Sequence, residues 1–233
     1  MPPQLLIFDL DGTLIDSRAD LVQSVNAMLS HLGRPTLPDE VVAAHVGDGA
    51  AMLVRRSLGA DSTPEEEATG LEYFLAYYAD HKLDRTTLYP DVAEGLDRLD
   101  QAGYRMAVLT NKPVRPSREI VDHLGVARHF FAVYGGNSFA QKKPDPCGIH
   151  AILAESGTAA GEAVMIGDSA IDIRCGRNAG TLTAGVTYGF MPQTLAAERP
   201  DRSCDSFAEL TEWLLNRHVD GKLKVEDLTT HGI

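Results

Sequence analysis

The sequence predicts an α/β protein, a doubly wound, Rossmann-like parallel sheet with an inserted α-helical module. Three observations predict it. Short apolar runs of strand length recur at 5–8, 106–109, 131–134, 164–166 and 182–186, as in strands buried on both faces. Helical patterns lie between the later runs, and strand–helix alternation builds parallel sheets. Between 16 and 85 that rhythm stops, and only helical patterns remain.

In chain order, the first strand is LLIF, residues 5–8. Leu21, Val25, Met28, Leu29 and Leu32 share one helical face, and Gly33 is the stop signal. Residues 37–46 allow a second helix, and residues 50–58 allow a third that Gly59 closes. Thr63-Pro-Glu-Glu starts a fourth, with proline in the first turn and acids at the positive end of the helix dipole. It carries Leu71, Phe74, Leu75 and Tyr78. Then Val92, Leu96 and Leu99 mark a helix before Gly103, and residues 114–124 form another before Gly125. Pro144 is placed to open the next helix, which covers 149–154. Residues 171–178 and 207–215 give the last two. The expected division is a core of 1–15 and 86–233 and a helical domain of 16–85, with a loose tail at the end of the chain.

The 233 residues suffice for a sizeable core, and 44% hydrophobic with 23% charged residues is ordinary for a globular protein. A net charge of −12 excludes a general nucleic-acid or anionic-membrane surface. It also repels anionic substrates, so a phosphate ligand needs a local metal and lysine or arginine. Cys147, Cys175 and Cys204 form no metal or disulfide pattern and read as reduced cytosolic thiols. No stretch has the length of a membrane span, and the start lacks the features of a signal peptide. A cytoplasmic protein, monomeric or homodimeric, is expected.

In open α/β sheets ligands bind beyond the carboxyl ends of the strands, so the residues just past each apolar run matter most. Asp9 and Asp11 come after the first run, Thr110 and Asn111 after 106–109, and Gly167, Asp168 and Asp172 after 164–166. Lys143 lies in the loop QKKPDP. Carboxylates, a hydroxyl, a lysine and a glycine-bordered loop suit phosphoryl transfer, which needs cations around the phosphoryl oxygens and an in-line nucleophile. Mg²⁺ prefers a few hard carboxylate oxygens. Two aspartates two residues apart can divide the labour, one attacking phosphorus and the other exchanging protons with the leaving oxygen and water. Gly12 lets backbone N–H groups come close to the phosphate.

DLDGT at 9–13, TN at 110–111, KP at 143–144 and GDSAID at 167–172 resemble the four motifs of the haloacid dehalogenase-like superfamily, in order and spacing across nearly the whole chain. VLTNKP, GGNSFAQKKPDP and VTYGF resemble its phosphoglycolate phosphatase branch. The resemblance implies a small helical cap at the insertion and a Mg²⁺-dependent phosphatase of a small phosphate ester, best matched by 2-phosphoglycolate. It implies Asp9 as nucleophile and metal ligand. Asp11 is then the acid and base, with its carbonyl on the metal. Thr110 and the Asn111 backbone hold the phosphoryl group, Lys143 neutralises it, Asp168 binds the metal, and Asp172 belongs to the metal site.

Other readings fit the same residues. A phosphatase of a sugar phosphate, amino-sugar phosphate or pyrophosphate fits the motifs, and so does a phosphosugar mutase. A dehalogenase has no use for a metal site and proton shuttle. A non-catalytic interaction protein is expected to have lost a motif acid, and none is lost. Lys142 reads as solvated, Asp168 as a potential helix cap, and Asp172 as potentially facing solvent. In HVGDGAAMLVRR, His45, Gly47, Asp48, Gly49, Arg55 and Arg56 either face the site or belong to a plain helix–turn–helix.

Overall fold

A computed structural model describes residues 4–226. Six strands form one parallel sheet: β1 (Leu5–Phe8), β4 (Arg105–Leu109), β5 (Ala132–Tyr134), β6 (Ala163–Gly167), β7 (Leu182–Val186) and β8 (Arg202–Cys204). Their spatial order is β5-β4-β1-β6-β7-β8. Strand β1 lies at the centre, with Leu5 opposite both Arg105 and Ala163. A two-stranded antiparallel pair, β2 (Ile15–Asp16) and β3 (Thr87–Leu88), stands where the chain leaves and re-enters this core.

The apolar runs are strands because both sheet faces are covered. Leu6 and Phe8 point into one cluster with Val92, Leu96, Ile120 and Phe207, from α5 (Val92–Gln101), α6 (Val114–His123) and α10 (Phe207–Glu226). Leu5 and Ile7 point the other way, onto Ile149, Ile152 and Cys175 of α7 (Cys147–Ser156) and α8 (Ala170–Ala179). Period-two alternation sends neighbouring side chains to opposite faces, and here both are core.

Between β2 and β3 lie α1 (Arg18–His31), α2 (Asp39–Ala43), α3 (Ala50–Leu58) and α4 (Pro64–His81). They share a core of Val25, Met28, Leu29, Leu53, Val54 and Phe74. Thr63 caps α4: its side chain accepts from the Glu66 N–H, and Glu66 accepts from the Thr63 N–H. Asp20, at 0% exposure, joins both connections to the sheet domain. Its Oδ2 accepts from the N–H of Arg85 at 3.1 Å, the N–H of Thr86 at 2.9 Å and the Thr86 hydroxyl at 2.8 Å.

Several expectations need correction. Pro144 does not open a helix: α7 begins at Cys147, after Pro146 in the N-cap position, and Asp145 Oδ1 accepts from the Cys147 N–H at 2.9 Å. The second helix is cut to Asp39–Ala43, because it starts only after Pro38 and stops before the turn at Gly47. Phe131 precedes its strand and lies under the Arg105 guanidinium, 4.5 Å from the ring centre. The last helix runs on to Glu226, because no stop signal follows Leu215 directly. The rest of the expected tail, 227–233, lies outside the described residues. Strand β8 has no apolar run to announce it: Arg202 and Ser203 are exposed and only Cys204 is buried.

Candidate active site

The central strand delivers Asp9 directly past Phe8, and the Asp9 N–H donates to the Ile166 carbonyl at 2.8 Å on neighbouring β6. Strand β4 on the other side delivers Thr110 and Asn111, both buried. Strand β6 ends at Gly167 and delivers Asp168, and α8 then brings Asp172 back one turn later. Parallel register therefore gathers the three strand ends at one place.

Lys143 reaches this place from the loop before α7 and is buried, whereas Lys142 beside it is exposed. Its Nζ lies 2.7 Å from Asp9 Oδ1 and 2.6 Å from Asp172 Oδ1. Burial works against the ammonium, but Asp172 and Asp9 outweigh it and hold Lys143 above the ordinary lysine value. Asp172 does not face solvent. Its Oδ2 accepts from the Ser169 N–H at 3.2 Å and from the Ser169 hydroxyl at 2.7 Å. Ser169, and not Asp168, takes the N-cap position of α8.

Asp168 is fixed by the loop after β7, where its Oδ2 accepts from the N–H groups of Phe190 at 2.6 Å and Met191 at 3.3 Å. Burial, and then Asp172 and Asp9, push its carboxyl well above the usual range. Burial likewise pushes Asp9 up to about 6, with Lys143 opposing and Asp172 adding. Gly12 has φ +83°, and a Cβ there would collide with the Asp168 carboxylate. Its own N–H donates to the Ile15 carbonyl at 2.9 Å. That N–H is therefore not directed at a phosphate, and what the absent side chain provides is room for Asp168.

Asp9, Asp168 and Asp172 place one carboxylate oxygen each within 4.8 Å of one another. Among the described residues, the ammonium paired with these acids is that of Lys143, which meets Asp9 and Asp172. Buried like charges so close are unfavourable unless a cation joins them. Hard oxygen donors of this kind fit a small divalent cation.

Asp11 points elsewhere, towards the pocket below the helical module. Its carboxylate accepts from the Ser17 hydroxyl and lies 2.9 and 3.1 Å from the Nζ of Lys112. Sequence reasoning missed Lys112, Ser17, Phe190 and Met191. The available signal for Lys112 was its place directly after the Thr110-Asn111 strand end. The Asn111 side chain bridges two segments, donating to the carbonyls of Gly47 at 2.9 Å and Lys143 at 3.1 Å. Gly47 and Gly49 line the pocket. The other polar residues of that turn are occupied elsewhere: His45 with Ser57, Arg56 with Asp48, and Arg55 with Glu67.

The model of the haloacid dehalogenase-like hydrolase family matches residues 6–186. The chain belongs to that family. A phosphoglycolate phosphatase of Vibrio parahaemolyticus is 38% identical over 216 residues, covering 90% of this chain and 95% of the relative. One of Psychrobacter arcticus is 38% identical over 226 residues, covering 94% and 98%. Among solved structures, one described as a predicted phosphoglycolate phosphatase from Haemophilus somnus has TM-score 0.86 and 31% identity, covering 90% of this chain and 97% of that one. CbbY from Rhodobacter sphaeroides, in complex with phosphate, has TM-score 0.73 and 25% identity, covering 89% and 96%. This family member is an enzyme, a phosphoric monoester hydrolase. Among the described residues, no helix is long and apolar enough to cross a membrane.

Proposed function

We propose that the chain hydrolyses 2-phosphoglycolate to glycolate and phosphate through an aspartyl-phosphate on Asp9, with Mg²⁺ as cofactor. The observation that carries this reading is the Asp9 carboxylate at the end of the central strand, 2.7 Å from Lys143 and grouped with Asp168 and Asp172. The phosphoglycolate phosphatases at 38% identity support the choice of substrate.

In this reading an Asp9 oxygen attacks phosphorus, and the bond to the ester oxygen breaks. Asp11 gives the leaving oxygen its proton, then takes one from the water that cleaves the acyl phosphate. Thr110 and the Asn111 backbone orient the phosphoryl oxygens, and Lys143 balances their charge while steadying Asp9. Asp9, Asp168, Asp172 and the carbonyl of Asp11 would hold Mg²⁺, which supplies charge neutralisation at the phosphoryl group when bound. Helices α1–α4, proposed as a cap of 16–85, shield the site and limit the size of the leaving group.

The test is phosphate release from a panel of small phosphate esters, with Mg²⁺ or with chelator. The expected result is Mg²⁺-dependent turnover with the highest kcat/KM for 2-phosphoglycolate. Asp9→Asn should remove turnover and leave the folded state intact. Preference for another ester would refute the substrate, and an active Asp9→Asn enzyme would refute the mechanism.

A further inference from the structure

A carboxylate is the feature that separates 2-phosphoglycolate from a neutral phosphate ester, and the proposed reading leaves open which group receives it. The pocket above Asp9 offers little choice. Its helical wall is built from Leu21, Val46, Leu53, Phe74 and Leu75. Among the described residues along its lining, the only lysine, arginine or histidine is Lys112. Lys143 does not line it and is taken up by Asp9 and Asp172.

Lys112 is 7% exposed. A lysine stays buried and charged only with a partner, and Asp11 is that partner, with the Tyr78 ring centre 4.6 Å from Nζ. Two contacts run to Asp11 and the Tyr78 hydroxyl is a further neighbour of the ammonium; with three donors, it can turn one from Tyr78 to a second carboxylate beside Asp11. The placement fits a short substrate. Lys112 is two residues beyond Thr110, and its N–H donates to the Thr110 hydroxyl oxygen at 3.2 Å. Asp9, Thr110 and Lys112 line the same pocket, so a short ester with its phosphoryl group at Asp9 holds its carboxylate in the pocket that Lys112 lines. Moving a carboxylate into an apolar pocket without such a cation is costly.

We infer that Lys112 is the specificity-determining residue, the cation that receives the substrate's carboxylate and selects phosphate esters of small hydroxy acids over neutral esters. The inference rests on the phosphatase reading of the same pocket. It differs from a lysine that only positions Asp11, because that role serves every ester equally.

The experiment compares kcat/KM for 2-phosphoglycolate and for ethyl phosphate, in which a methyl group replaces the carboxylate. It uses the wild type, Lys112→Met and Lys112→Arg, each confirmed folded by circular dichroism. The loss of a charge-assisted contact should lower the ratio of the two values roughly 10- to 100-fold in Lys112→Met. Lys112→Arg keeps the charge and should retain most of the ratio. If Lys112→Met slows both esters equally and the ratio holds, the inference is overturned. If Lys112→Met turns over too slowly, or fails to fold, the same comparison is read as binding by calorimetry in an Asp9→Asn background, using Lys112→Gln. Equal loss of affinity for both esters there overturns it as well. A wild type that prefers another phosphorylated acid removes 2-phosphoglycolate as substrate, and the ratio is then read on that acid. A wild type with no preference for acid over neutral esters overturns both.

Discussion

Replacing Asp20 tests how the helical module is anchored. All three close hydrogen bonds to its carboxylate, at 3.1, 2.9 and 2.8 Å, converge on Oδ2. Oδ1 is buried, has no hydrogen bond and meets only the Arg85 guanidinium, at 3.6 Å. Asparagine can place its carbonyl oxygen at Oδ2 and keep all three donors satisfied. It gives up the charge and buries an amide where Oδ1 was. Asp20→Asn should therefore cost about 1–2 kcal/mol. Asp20→Ala leaves the buried N–H and hydroxyl of Thr86 and the partly buried N–H of Arg85 without their acceptor. The expected cost is about 3–5 kcal/mol, below the sum of three separate bonds because they share one oxygen. Urea denaturation followed by circular dichroism measures both. Equal costs for the two variants, or a cost under about 1 kcal/mol for Asp20→Ala, would refute the one-oxygen account.

Gly12→Ala forces an alanine to φ +83° and pushes a methyl group against Asp168. It should cost at least about 1–2 kcal/mol and lower turnover at least tenfold, read by denaturation and phosphate release. Mg²⁺ should raise the melting temperature of the wild type. At a hundredfold excess over its Kd the gain is about 2.7 kcal/mol, roughly 5–10 °C for a chain of this size, and Asp168→Asn should lose most of it. His129 is 6% exposed, and burial, ahead of Arg128, holds its pKa below the ordinary value. The unfolded chain then binds this proton first, so stability is lost as pH falls through about 6.5. His129→Leu should flatten that loss in denaturation curves taken between about pH 7 and 5. Parallel curves for variant and wild type would count against it.

Much of the fold could be read from the sequence, because parallel strands covered on both faces must be apolar throughout. Runs such as LLIF and AVMIG have no other use for four or five consecutive buried residues. The same rule located Asp9, Thr110 and Asp168, since the first polar residue past such a run sits at the carboxyl edge of the sheet. Lys143 was different. Nothing in QKKPDP separates Lys143 from Lys142 except the family motif, and burial of one but not the other is a tertiary fact. Lys112 and Ser17 were hidden for the same reason. A lysine and a serine outside an apolar run look like surface residues, and the Lys112 contact with Asp11 spans 101 positions of sequence. Strand β8 was hidden because an edge strand with two exposed residues needs no apolar run.

The central place of β1 also orders events during synthesis. This strand is made before the rest of its sheet, and the strands on either side of it begin at Arg105 and Ala163. Until both have been made, Leu5 to Phe8 lacks at least one lateral partner, and Asp9 lacks Asp168. Long-range pairing of this kind slows folding, while α1–α4 pack on one another within residues 18–81. A nascent chain can thus bring these helices together before Asp9 acquires the neighbours that β4 and β6 give it. Chains cut short before β6 carry Asp9 without Asp168 and Asp172 beside it.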